Sequence, residues 1–160
     1  MASHEVSLKS LNPQWVASMS SIIPDYQNCG QIFEDLFDRV FAYVMGQGID
    51  QPGPGLVIYH DTVLRDLNIP VEATVIIPQV IPGGLGVQVY ELPGAETAAY
   101  TVLYGSFEGL ESAYKSVFDW IGSNGYRMIG SPRELYLEYE RGGDESKFVT
   151  EIQVPVKPMG

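Results

Sequence analysis

The 160-residue sequence repeats itself at a constant spacing, and this duplication limits the folds open to it. When the sequence is shifted by 77 residues, apolar, aromatic and glycine positions of the first half fall on similar positions of the second. The matched pairs are Phe33 with Leu110, Phe37 with Tyr114, Val40 with Val117, Phe41 with Phe118, Val44 with Ile121, Gly48 with Gly125, Gly53 with Gly130 and Tyr59 with Tyr136. An ordered series with one offset is typical of an internal repeat. We therefore predict one domain, residues 1–160, made of pseudo-repeats at about 5–80 and 86–158 joined by the Pro/Gly hinge IPGGLG.

Each copy has the pattern of a β-α-β-β unit. Apolar residues recur at i, i+3 and i+4 over about 30–46 and again over about 107–122, which predicts one amphipathic helix in each copy. Short apolar segments on both sides of each helix predict strands, at 6–8, 17–19, 56–60 and 71–77 in the first copy and at 87–90, 98–103, 135–139 and 148–156 in the second. The fold class is therefore α+β, with antiparallel sheets and two main helices.

Charge excludes one class of partner and favours another. The formal net charge is −11, and no cluster of lysine or arginine interrupts it. Nucleic-acid binding needs a basic face that neutralises phosphates, so we expect no direct binding of DNA or RNA. A negative field attracts cationic ligands or basic protein surfaces instead. The alternative, that the acidity only maintains solubility, stays open.

Other functions are excluded by what the sequence lacks. Its apolar runs are much shorter than the roughly 20 residues that a membrane span requires, and MASHEVSLKS has no apolar segment of a secretory signal. The single cysteine, Cys29, permits no internal disulfide, so we expect the cytoplasm as compartment. His4, His60 and Cys29 are far apart in the sequence, so we expect no metal site and no cofactor.

The segment PRELYLEYE carries the strongest candidate for a binding site. Alternation along a strand puts Leu135 and Leu137 on one side and Glu134 and Tyr136 on the other. We expect the apolar side to face the helix, and Glu134 with Tyr136 to face a cleft between the copies. A carboxylate among aromatic rings is costly to bury, and a cationic ligand would offset that cost. The alternative is a surface Glu134 paired with Arg133.

Equivalent positions of the two copies differ in chemistry. The first copy has Tyr59 where the second has Tyr136, but it has Val57 where the second has Glu134. Rings of Trp120, Tyr136 or Tyr59 would add cation–π attraction to a bound cation. Glu72 and Glu151, in the last strand of each copy, are expected to be satisfied by neighbouring hydroxyl or backbone groups.

A set of short motifs resembles a known family, the GyrI-like small-molecule-binding domains. The first half matches through VSLK, VAS, IPDY, GPG and IYHD, and the second half, more specifically, through VYELPG, AAY, YGSFEGL, WI, GY, SPRELYLEY and TEIQVPV. These domains also serve as effector-binding domains of MerR- and AraC-type multidrug-responsive transcription activators. The resemblance implies a duplicated β-α-β-β module of the SHS2 type with a ligand cavity between its halves. It also implies a small organic ligand, a lipophilic and aromatic cation, as partner.

The resemblance also assigns site residues. The family's central glutamate falls on Glu134, its cavity-lining aromatic residue on the second helix falls on Trp120, and further ligand contacts fall on Tyr136, Tyr59 and Tyr104. Regulators of this family carry a DNA-binding domain upstream, so we expect either a free-standing relative or a fragment whose DNA-binding domain or protein partner lies outside this chain. Multidrug binding, by sensing or sequestering the ligand, is the leading function.

Two other functions stay open at this point. Some family members resemble hydrolases of strained electrophilic molecules, in which Glu134 and Tyr136 would form the catalytic pair. The family is also named for an inhibitor of DNA gyrase, and an acidic domain would suit the basic surface of such an enzyme.

Overall fold

The structure, a computed structural model, describes residues 4–60 and 67–160 and contains two main helices, α1 (Gly30–Gly46) and α2 (Leu110–Ser123). The strands are β1 (Ser7–Leu11), β2 (Gln14–Ile23), β3 (Gly55–Tyr59), β4 (Ile69–Ile76), β5 (Gln88–Leu92), β6 (Ala95–Tyr104), β7 (Tyr126–Met128), β8 (Arg133–Glu138) and β9 (Val149–Pro158). The described residues form two compact units. The α1 unit lies within Asn12–Gly94, and the α2 unit combines the chain up to Leu11 with Ala95–Gly160.

The α1 unit is an antiparallel sheet covered on one face by its helix. The strand order is β3-β4-β2-β5. Strand residues Ala17, Met19, Ala73 and Val75 pack with Leu36, Val40 and Val44 of α1. Because α1 places apolar residues on one side at helical spacing, its buried face coincides with the periodicity in the sequence.

The α2 unit repeats this arrangement with its own strands. Its order is β1-β6-β9-β8, and β7 pairs with the C-terminal end of β9. Its core combines Ala99 of β6 and alternate residues of β9 with three residues of α2, namely Ala113, Val117 and Ile121. Each unit contains one strand from the other half of the sequence, because β1 pairs with β6 and β5 pairs with β2.

The α+β class with antiparallel strands and two helices is confirmed. The predicted helix at about 107–122 begins with a 3-10 turn at Phe107–Gly109 and is α-helical from Leu110. Strand β7 was not predicted from the sequence. The SHS2-type duplication and its boundaries stay predictions, and Asp61 of the IYHD segment lies outside the described residues. Within the described ranges, no helix is long and apolar enough to cross a membrane.

Each helix is followed by a glycine, and the two glycines are 77 residues apart in the sequence. Gly48 has φ 92° and Gly125 has φ 76°, a left-handed conformation that costs little only without a Cβ. After α1, the Gly48 N–H donates to the Met45 carbonyl at 3.0 Å and the Ile49 N–H donates to the Val44 carbonyl at 3.3 Å. These two bonds form a Schellman motif, which satisfies carbonyl groups at the helix end.

Replacing Gly48 with alanine should lower the free energy of unfolding by about 1–2 kcal/mol, because an L-residue is strained in the left-handed region. A Cβ at Gly48 would meet no described atom within 4 Å, so the loss would measure backbone strain rather than a clash. Gly46→Ala is the matched control: that glycine is the last residue of α1, and its replacement should leave stability equal or slightly higher. Urea denaturation of both variants measures the difference, and equal stabilities would contradict the assigned helix end.

Candidate functional site

Glu134 lies on the helix side of the α2 unit. In the pairing of β8 with β9, Glu134 is opposite Ile152 and Leu135 is opposite Glu151. Paired residues of an antiparallel sheet point to the same face, and Ile152 belongs to the core that packs against α2. Glu134 is 1% exposed on that side.

The expected orientation of this strand was therefore wrong. Leu135 and Leu137, rather than Glu134, were expected to face the helix, but Leu135 points to the opposite face and Leu137 is 45% exposed. The expectation assumed that the more apolar side of a strand faces its helix. Pairing with β9 decides the face instead, and a shift by one residue would exchange the two sides.

Hydroxyl groups lie on the same face as Glu134. Tyr136 is opposite Thr150 in the pairing of β8 with β9, which puts both side chains on the helix side. Thr150 is 1% exposed, and the hydroxyl oxygen of Tyr114, on α2, is also buried. The structure thus brings together Glu134 and Tyr136, as predicted, and adds the hydroxyl-bearing Thr150, which the sequence did not reveal.

A cluster of four aromatic rings, called the aromatic cluster here, extends from Tyr136. Its members are Phe107, Tyr136, Tyr139 and Phe148, with ring centroids between 5.0 and 6.4 Å apart in the five contacting pairs. Phe148 is buried, whereas Tyr139 is 47% exposed. The cluster therefore reaches from the interior of the unit to its surface. Phe107 was missed because it stands at the start of the predicted helix, before the apolar repeat that begins at Leu110, and Phe148 because a strand prediction does not give its neighbours.

The other predicted site residues lie elsewhere. Trp120 stacks on Tyr126 with ring centroids 5.7 Å apart, near the C-terminal end of α2. Tyr104 is 76% exposed, and strand alternation after Leu103, which is opposite Thr150, puts it on the face away from α2. It borders an open depression of about 820 Å³ lined by residues 104–106 and 143–146, which include neither Glu134 nor the aromatic cluster.

Tyr59 belongs to the α1 unit, where it lies on the helix side. Its partner in the sheet is Val71, and its ring contacts Phe33 edge-on at 6.3 Å and Tyr26 at 5.8 Å. Val57, the counterpart of Glu134, is fully buried on this same side, opposite Ala73. Residues that are 77 positions apart on these two strands therefore lie on the same side of their sheets, the helix side.

A second buried carboxylate, Glu72, lies on the face of the α1 unit away from its helix. Ser18 donates a hydrogen bond to Glu72 Oε1 at 2.7 Å, and the Tyr90 hydroxyl donates to the same oxygen at 2.6 Å. His60 Nε2 contacts the other oxygen, Oε2. Burial alone would raise the pKa of Glu72, but the hydrogen bonds from His60, Tyr90 and Ser18, together with the charge of His60, lower it to about 2.

The α2 unit has a comparable carboxylate, Glu151, on its face away from α2. Lys9 Nζ lies 2.6 Å from Glu151 Oε2, and the Gln153 amide donates to that oxygen at 2.6 Å. The Lys9 ammonium also lies 4.3 Å from the centre of the Tyr100 ring. Glu72 is thus satisfied by hydroxyl groups, as the sequence analysis expected, together with His60, whereas the partners of Glu151 are an ammonium and an amide rather than the expected hydroxyl or backbone group.

The described residues contain no cluster of metal-binding side chains. No group of three or more histidine, cysteine, aspartate or glutamate residues there is arranged to hold an ion.

A buried carboxyl group near aromatic rings is a combination that sites for small organic molecules commonly have. Residues 4–157 match the family described as the GyrI-like small molecule binding domain. The chain belongs to this GyrI-like family. Among curated proteins, no sequence matches it.

Several solved structures share the fold. The C-terminal domain of EcmrR superposes with a TM-score of 0.84 and 24% identity, covering 98% of this chain and 99% of that domain. In the EcmrR–DNA complex the match spans only 58% of the EcmrR chain, with a TM-score of 0.83 and 24% identity over 98% of this chain. SAV2435 bound to tetraphenylphosphonium matches with a TM-score of 0.62 and 14% identity, covering 96% of this chain and 94% of that one. At these identities the likenesses establish the fold.

Replacing Tyr90 with phenylalanine should destabilise the protein by roughly 1.5–3 kcal/mol at neutral pH, because it removes a hydrogen bond to a buried carboxylate. The pKa of Glu72 is about 2 in the folded state against an ordinary 4.5. The stabilisation of its ionised form is thus complete above pH 4.5 and is lost as the pH falls toward about 2. The difference between wild type and Tyr90→Phe should narrow over that window.

Urea denaturation at successive pH values measures this difference. Tyr104→Phe is the matched control, since its side chain is mostly exposed and the change should leave stability unaltered. A Tyr90→Phe effect that does not vary with pH would contradict the assigned role of Glu72.

Proposed function

We propose that this domain binds a lipophilic organic cation and that Glu134 counters the charge of the ligand. One observation carries the proposal: the Glu134 carboxylate is 1% exposed and lies on the helix side of its sheet. Surroundings of low polarity strengthen the attraction between a carboxylate and a cation. A hydrophilic cation would pay heavily for leaving water, so a cation with an apolar surface is favoured.

The aromatic cluster supports the same ligand class. Tyr136 faces the same side of the sheet as Glu134 and contacts Phe107 at 5.8 Å. The faces of aromatic rings attract cations and offer a large apolar area to an aromatic ligand. A ligand that is both cationic and aromatic would therefore use Glu134 and the cluster together.

The net charge of the chain and its structural similarity to SAV2435 also support a cationic ligand. The formal charge of −11 attracts cations over distances longer than a direct contact. SAV2435, which shares the fold, is bound to tetraphenylphosphonium, a lipophilic cation. We propose the same ligand class here, and tetraphenylphosphonium is the natural first probe.

The biological role that we propose is that of an effector-binding domain. EcmrR carries a domain of this fold at its C-terminus and forms a complex with DNA. Ligand capture by this chain would then act through a DNA-binding domain or protein partner outside it, in the cytoplasm. Inhibition of DNA gyrase stays a prediction of the family resemblance alone.

Hydrolysis is the second candidate function, because Glu134 and Tyr136 point to one face, two residues apart on one strand. A hydrolase from Listeria innocua shares the fold at a TM-score of 0.70, with 12% identity over 96% of this chain and 92% of that one. If Glu134 is a general base, incubation with an electrophilic cyclopropane compound should give a hydrolysed product. Glu134→Gln should slow its formation by roughly a hundredfold or more. Mass spectrometry of the mixture detects the product, and its absence with wild type would exclude this reaction.

Replacing Glu134 with glutamine should weaken binding of tetraphenylphosphonium on the order of tenfold to a hundredfold, because the amide has the same shape but no charge. Binding of triphenylphosphine oxide, a neutral analogue, should change little. Glu138→Gln is the matched control: it removes an exposed carboxylate from the same strand and should leave the affinity for the cation nearly unchanged.

Isothermal titration calorimetry with both compounds measures these affinities. Equal losses for the cation and the neutral analogue would show that Glu134 acts through shape or stability rather than charge. Failure of wild type to bind tetraphenylphosphonium would argue against the proposed ligand class.

A further inference from the structure

Thr150, on β9, carries a buried hydroxyl group. Its side chain is 1% exposed, and Oγ1 has no hydrogen-bond partner among the described residues. Leaving a buried hydroxyl unsatisfied is destabilising, and native structures avoid it unless the group has another role. Valine has the same shape and suits a strand at least as well, so packing alone gives no reason for threonine here.

Residue 150 lies in the interior of the sheet, opposite Leu103 of β6 on one side and Tyr136 of β8 on the other. The pairing of β9 with β6 runs without a break from Ala98 to Tyr104, whereas its pairing with β8 has a bulge or irregularity between Tyr136 and Glu138, next to Thr150. Because Thr150 is opposite Leu103 and Tyr136, its side chain lies on the helix side, where Glu134 also lies.

Strand geometry fixes how far this hydroxyl lies from the carboxylate. Thr150 is opposite Tyr136, and Glu134 is two residues before Tyr136 on the same face. Thr150 is therefore a diagonal cross-strand neighbour of Glu134, and such residues lie roughly 7–8 Å apart, a distance that one organic molecule of moderate size can span.

We propose that Thr150 is a specificity-determining residue whose hydroxyl hydrogen-bonds to a polar atom of the bound ligand. The ligand would then be a lipophilic cation with a hydrogen-bonding group, such as a carbonyl or amide, roughly 5–8 Å from its charged centre. This inference rests on the proposed function, because it assumes that a cation occupies the side of the sheet where Glu134 lies. It narrows that ligand class to molecules with a second, polar recognition point.

Two phosphonium ions of similar size provide the test. (4-Carbamoylphenyl)triphenylphosphonium carries an amide at the far end of one ring, and (4-isopropylphenyl)triphenylphosphonium carries an apolar group there. The ratio of their dissociation constants is measured by calorimetry for wild type, Thr150→Val and Thr150→Ser. Thr150→Val should shift the ratio against the amide by roughly three- to tenfold, and Thr150→Ser should keep the wild-type ratio.

The ligand-free proteins provide a second readout. Thr150→Val should have an unchanged or higher Tm, because it removes an unsatisfied polar group without changing the packing volume. A lower Tm would mean that the hydroxyl has a structural role, and it would overturn the inference.

The binding outcomes separate the inference from the proposed function. If both ions bind wild type and Thr150→Val with the same ratio, Thr150 does not select the ligand, while cation binding stands. If neither ion binds wild type, the proposed function and the inference both fail.

Discussion

The pairing of β8 with β9 is the constraint on which the site depends. It sets Glu134 opposite Ile152 and Tyr136 opposite Thr150, and the core contact of Ile152 with α2 then defines the side to which all four point. Because side chains alternate along a strand, a slip of one residue would move Glu134 to the opposite face and bring Leu135 toward the helix. Along its other edge, the long strand β9 pairs with β6. Ala99 of β6 also packs against α2, so this second pairing agrees on which face of β9 lies on the helix side.

Buried carboxylates occur on both kinds of sheet face, and their surroundings distinguish them. Glu72 and Glu151 lie on the faces away from the helices, where side chains of their own units donate hydrogen bonds or form an ion pair. The lowered pKa of Glu72 keeps this carboxylate ionised at neutral pH, and its hydrogen bonds connect strands β2, β4 and β5. Glu134 lies on the helix side, next to Tyr136 and the rings that extend from it. Buried glutamates thus occur on both faces of these sheets, with different neighbours on each.

Positions 77 residues apart in the two halves of the sequence share structural features but differ in chemistry at one strand position. Both helices are followed by a glycine in the left-handed conformation. Both helices also pack on their sheets through a valine, Val40 in α1 and Val117 in α2. At the position of Glu134, however, the first copy has Val57, which is fully buried. An apolar residue there stabilises its unit at no electrostatic cost, whereas the glutamate places a charge where burial alone would disfavour it.

Local patterns in the sequence determined the elements, because helix periodicity, strand alternation and glycine positions reflect local backbone geometry. They predicted both helices and most strands, the class of the fold, and Glu134 with Tyr136 as neighbours on one strand face. They did not predict which face that was, nor that Thr150 and Phe148 would lie beside these residues, nor that β1 and β5 would each pair with a strand from the other half of the sequence. Those features depend on register and on contacts between segments distant in the chain. Only the packed tertiary structure decides them, because alternation leaves two faces equivalent until a neighbouring strand and a helix make them different.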